Sequence, residues 1–209
     1  MTTARILIAA LVACVAPACS DDDDEGVIVV DPVQDATEDG FARGTALADS
    51  AFAEISGNDY ATIIGQTASI IVAMNDGVIE QADFALQVAV SVDVAAFANV
   101  LASEHEFQNA NVDAIIEVSG VPFVPSQTVA DVATDYALGL DDLHASPSSD
   151  FDFVYVDLQV RNHAANLVLI DQLLEMVNDD DAMGQLLEGM RGLEDEHLAQ
   201  AQTLLASFF

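Results

Sequence analysis

Residues 150–177 read DFDFVYVDLQVRNHAANLVLIDQLLEMV, and the reading of this stretch decides the fold. Its opening, Phe151 to Val156, is aromatic and β-branched enough to pass for a strand. Behind it, Val156, Val160, His163, Leu167, Ile170, Leu174 and Val177 recur in steps of four and three. That spacing is the seam of an amphipathic helix, and a strand cannot sustain it. One helix is therefore predicted from about Asp150 to Val177.

The same pattern extends outward. After an acidic turn at Asn178–Asp181, the positions Met183, Leu186, Met190, Leu193, His197, Ala201, Leu204 and Phe208 continue it in a second helix. Upstream, Tyr60, Ile64, Thr67, Ile71, Met74, Val78, Gln81, Ala85 and Val88 mark a helix over Asp59–Ala89. A tight turn at Ser91-Val92-Asp93 leads into another, with Val94, Ala98, Leu101, His105, Gln108, Val112 and Ile115 on its seam. Ser119-Gly120 with Pro122 and Pro125 ends that helix. The connection from Gly120 to Ser149 contains a short helix, about Thr128–Leu143, and a shorter leading helix is expected over Phe41–Ile55. Two helical hairpins joined by a long crossover predict an all-α, ferritin-like four-helix bundle whose crossover carries a short extra helix.

The N-terminus has a different character. MTTARILIAALVACVAPAC carries Arg5, an apolar run from Ile6 to Ala16, and small residues before Cys19. This is the layout of a secretory signal, too short to span a bilayer. A cysteine after a small residue and before polar sequence points to lipid attachment at Cys19; Cys14 is the competing position. Residues 1–19 are thus read as a lipoprotein signal peptide and 20–40, SDDDDEGVIVVDPVQDATEDG, as an acidic flexible tether. The bundle domain is then 41–209. The expected location is extracytoplasmic, in the periplasm or at the cell surface, with the membrane as a partner through the lipid. Both cysteines lie in the signal, so the mature domain has no disulfide.

Hydrophobic residues make up 52% of the chain, enough for a sizeable core. The net charge is −32, from 36 acids against four arginines and no lysine. Such a surface repels nucleic acid, which excludes that class of partner.

Three of the four histidines sit on the seams of different helices. His163 and His197 lie seventeen residues on either side of Asp180, so both stand about 25 Å from that turn. His105 is also mid-helix, and its counterpart across the preceding turn is Val78. Glu194 lies three residues before His197, the Glu-x-x-His step that puts both side chains on one face. Glu104 and Gln108 flank His105, and Glu80 and Gln81 are offered by the first long helix. His105, His163, His197, Glu194 and Glu80 are accordingly the candidate ligands of a divalent transition metal, and imidazole with carboxylate suits Zn, Cu or Fe. The competing reading is a buried polar layer that satisfies itself and fixes bundle register. His144, in a Pro/Ser loop, is expected to be exposed. No nucleophilic cysteine, glycine-rich phosphate loop or calcium loop is present, and no catalytic residue is assigned.

Several of these residues carry a resemblance. Val94-Ala95-Ala96-Phe97-Ala98 with Ser103-Glu104-His105, Phe151-Asp152-Phe153-Val154-Tyr155 with His163, and Glu196-His197-Leu198 resemble the ferritin-like exported bacterial proteins catalogued as domain of unknown function 4142. The resemblance covers about Asn75 to Leu205. It implies the bundle fold and export, and it implies a Glu where this chain has Val78, so a helix-borne acid would be missing here. The sequence thus supports a noncatalytic envelope or binding module with an unknown protein partner, or alternatively a metal-binding bundle, possibly redox-active.

Overall fold

A computed structural model describes residues 31–209 of the chain. The signal, both cysteines and the acidic run Asp21–Asp24 lie outside the described residues. Six helices follow in order: α1 (Pro32–Ile55), α2 (Tyr60–Val88), α3 (Val92–Ser119), α4 (Gln127–Ala145), α5 (Phe151–Met176) and α6 (Ala182–Ala206). The described residues contain no strand, and Phe151–Val156 is the first turn of α5, as the four-three spacing behind it requires.

The bundle consists of α2, α3, α5 and α6, with α2 against α3 and α5 against α6. Two sets of hydrogen bonds define which ends meet. Asp152, at the start of α5, accepts from the backbone N–H groups of Val90 and Ser91 in the α2–α3 turn, at 3.0 and 2.7 Å. At the other end the Tyr60 hydroxyl donates to Asp181 and accepts from the Asn178 N–H at 2.9 Å, tying the start of α2 to the α5–α6 turn. Hence α3 runs parallel to α5, and α2 to α6, which is the arrangement a lengthwise crossover imposes. That crossover is α4, packed on α2 with Tyr136 over Gly77, where a Cβ would sit 2.2 Å from the Tyr136 ring. By length and composition α2 could cross a membrane, yet in the bundle it is a core helix packed by α3 on one side and α4 on another.

Short polar side chains start most of the helices. Ser91, Ser126 and Asp181 accept from the N–H three residues on, and Gly120, at φ +67°, closes α3 in the left-handed region that a side chain disfavours.

The leading helix begins at Pro32, nine residues before the expected Phe41, so residues 32–40 belong to the packed domain and not to a tether. Asp31 caps it and Pro32 occupies its first turn. Its buried face is Ala36, Gly40, Gly44, Ala48 and Ala51, a stripe of small residues on which α1 lies along α5. A Cβ on Gly40 would stand 2.5 Å from the Arg161 carbonyl oxygen, and one on Gly44 would stand 2.5 Å from that of Ala165. The close approach hides this helix from a search for large apolar residues.

Candidate metal centre

His105 on α3, His163 on α5 and His197 on α6 meet in the middle of the bundle. Their ring centroids are 5.1–5.8 Å apart and all three are buried. One nitrogen from each ring points into a common space, and these atoms lie within 4.8 Å of one another.

The tautomers follow from what the opposite nitrogens touch. His163 Nδ1 is 2.6 Å from Glu194 Oε2, and His197 Nε2 is 2.6 Å from Glu104 Oε2. Carboxylate oxygens accept, so both nitrogens carry the proton. His105 Nδ1 is 2.9 Å from Asn75 Oδ1. The amide is held that way round by a relay. Asp76 accepts from Asn109 Nδ2 at 2.7 Å, and Asn109 Oδ1 accepts from Asn75 Nδ2 at 2.9 Å, which leaves Asn75 Oδ1 to face the imidazole. The remaining nitrogens, His105 Nε2, His163 Nε2 and His197 Nδ1, therefore present bare lone pairs.

These three atoms have no hydrogen-bond partner among the described residues, and neither has Glu194 Oε1. Glu194 Oε1 is 3.9 Å from His105 Nε2, too far for a hydrogen bond. The other oxygen of Glu194 is well served, by His163 and by Asn166 Nδ2 at 3.1 Å. Asn166 is in turn oriented by the buried Tyr136 hydroxyl, which donates to its Oδ1 at 2.8 Å.

Burial keeps the rings neutral. It pushes His105 down to about 3, with Glu194 opposing and the neighbouring imidazoles reinforcing. Burial likewise pushes His163 down to about 3. It lowers His197 too, aided by His163 and opposed by the hydrogen bond to Glu104. The contacts to Glu194 and Glu104 are thus hydrogen bonds from neutral imidazoles rather than ion pairs.

Three imidazole lone pairs and a carboxylate oxygen, with every opposite nitrogen anchored to an oxygen acceptor, fit a metal ion. The donor types suit Zn, Cu or Fe, and the anchoring hydrogen bonds are those that orient ligating histidines. Bonds of about 2.0–2.1 Å in a tetrahedron put donors about 3.4 Å apart, so the rings must draw inward around an ion.

Of the five candidate ligands, four converge and one does not. Glu80 is exposed on α2, beside α4 in a groove that it shares with Asp76 and Tyr136; the donors within 4.8 Å of one another are the three histidines, which Glu194 adjoins through His105 and His163. Gln81 also lies elsewhere. It accepts from Gln159 and Asn162 and donates to the Tyr136 carbonyl, forming a second polar layer to which Arg43 adds a bond to Asn162. The counterpart of His105 is Asn75 rather than Val78. The loop between α2 and α3 is centred on Val90, and a turn displaced by one and a half residues moves the opposite position by three. Val78 is buried in the apolar core, so the acid that the resemblance leads one to expect there is replaced one helical turn away by an amide acting on His105. His144 is exposed as expected, but it lies on the last turn of α4 rather than in a loop, its ring tilted against that of Phe84 with centroids 4.2 Å apart.

No curated protein and no solved structure matches this chain. The model of the family described as Domain of unknown function (DUF4142) matches residues 53–204, a span that holds all three histidines, Glu104 and Glu194. The chain belongs to that family.

Proposed function

We propose that this protein is an exported, lipid-anchored envelope protein whose bundle holds a divalent transition-metal ion between His105, His163, His197 and Glu194. The observation that carries the metal reading is convergence: one nitrogen from each of three imidazoles lies within 4.8 Å of the others, with Glu194 Oε1 beside them, and none of the four has a donor among the described residues, where each unmet buried polar atom costs about 1–3 kcal/mol. An ion meets all four at once. Four protein donors leave no position for a substrate, and the site is buried, so the role is to hold or sequester the ion, or to pass electrons, rather than to hydrolyse. Export and anchoring rest on the Arg5 n-region, the apolar run and Ala18-Cys19.

Thermal unfolding of the full chain with chelator, Zn²⁺ and Cu²⁺, at fixed high salt so that the acidic surface does not mimic a site, tests the metal. A specific site stabilises by about 2.7 kcal/mol at a hundredfold excess over Kd. His163→Ala, His197→Ala and Glu194→Gln should each abolish that gain. A wild-type chain whose unfolding ignores both metals would sink the reading. For the anchor, Cys19→Ala should leave the membrane fraction or persist as precursor, and unchanged fractionation would refute it.

A further inference from the structure

One end of the bundle is apolar where a soluble surface should be polar. Val90 and Val92 in and beside the α2–α3 turn are 78% and 82% exposed, and Phe209, after α6, is 74% exposed. They lie at the same end of the bundle, joined through the start of α5. Phe153 on the first turn of α5 meets the rings of Phe208 and Phe209 edge-on, with centroids 5.8 Å away in both cases. The adjacent Asp152 turns both carboxylate oxygens onto the N–H groups of Val90 and Ser91, which folds that turn against α5 and takes one acid out of the patch.

The chain enters the fold at this same end. Gly40 and Gly44 on α1 sit against Arg161 and Ala165 on α5, so the two helices run parallel and in step. Eight residues back along each, Pro32 stands level with Phe153. Twelve residues separate Cys19 from Pro32, which extended span at most about 40 Å.

We infer that this end, formed by Val90, Val92, Phe153, Phe208 and Phe209, rests on the surface of a lipid bilayer. The inference rests on the anchoring part of the proposed function and is independent of the metal. A short leash keeps the patch at high effective concentration beside the acyl region, so a weak apolar contact suffices. Asp31, Asp93 and Asp150 are exposed at this same end, at the starts of α1, α3 and α5, and ring the apolar patch. The preferred surface is zwitterionic, because anionic lipid repels a chain of net charge −32.

The chain contains no tryptophan, so one introduced residue reports alone. The full chain with Phe209→Trp, lipidated and reconstituted on phosphatidylcholine vesicles with brominated acyl chains, should lose most of its fluorescence. Val118→Trp, at the end of α3 farthest from the entry of the chain and 90% exposed, should not. Helical circular dichroism equal to wild type shows that each variant folds. Vesicle-bound Phe209→Trp without quenching overturns the inference, as does equal quenching of Val118→Trp. Shielding of Phe209→Trp by self-association, with doubled mass and no quenching, also overturns it and makes the patch an interface between copies. If the chain fails to float with vesicles, the anchor reading is the one that falls. Phe209→Trp titrated with the same brominated lipid then decides the patch by itself: quenching retains it and no quenching ends it.

Discussion

Protonation of the histidine layer has a definite sign. The folded state holds His105 and His163 at about 3 and lowers His197, whereas an unfolded histidine titrates at about 6.5. Above that value all are neutral and the stability from burying them is complete. As pH falls below it the unfolded chain takes up protons first, so stability declines, approaching about 1.4 kcal/mol per pH unit each for His105 and His163, with His197 adding in the same direction. Denaturant unfolding in high salt between about pH 7 and pH 5 should show this loss, and His105→Gln should make it shallower by the share of one ring. A wild-type slope near zero would mean that the rings are charged or exposed. Asn75 gives a second expectation. Asn75→Leu strands the His105 N–H and one amide group of Asn109, and should destabilise the metal-free chain by about 1–3 kcal/mol. It should also weaken metal binding about 10–100-fold, read by titration with Co²⁺ or Zn²⁺. The histidines themselves were legible in the sequence, because each fell on an apolar seam. Glu194 was legible through its step to His197. That Leu193 is half-buried while Glu194 is fully buried was not, since a seam read by apolarity assigns the core to leucine.

Helix α1 shows where element-level reading stops. Long apolar seams announced the other helices to within a few residues. The first nine residues of α1 contain acids, glycine and alanine, a composition shared with flexible linkers. The small residues are there because α5 approaches so closely. Gly44→Ala measures that closeness. Alanine raises helix propensity by about 1 kcal/mol, but its Cβ would meet Ala165 backbone atoms at 2.5 and 2.7 Å, which cannot retreat alone. The steric term, about 1–3 kcal/mol, should win and lower Tm. An unchanged or raised Tm would mean that α1 packs more loosely. The α2–α3 turn is the other case: the sequence places it at Ser91-Val92-Asp93, whereas Ser91 caps α3 and the loop is centred on Val90, which sets which residue of α2 stands level with His105.

At the scale of the molecule, self-repulsion is the dominant electrostatic fact. The arginines among the described residues are already committed, Arg43 to Asp135, Arg161 to Asp39 and Asp157, and Arg191 to Asp171. Three arginines leave most of the acids without a cationic side chain to offset them, so solvent ions supply most of the screening. Tm should rise from low salt to near-molar NaCl as the screening length contracts from about 30 Å to about 3 Å. A flat or falling curve would contradict this. The sequence by itself determined the helical class, the extent of five helices, the excess of negative charge and the three histidines, because periodicity and composition are local and additive along the chain. Tertiary structure alone decided that Glu80 stands apart from those histidines, that Asn75 rather than Val78 faces His105, and that residues 32–40 pack. Each depends on the relative rotation, register or close approach of two helices, where a shift of one residue turns a side chain by about 100° and changes its neighbours.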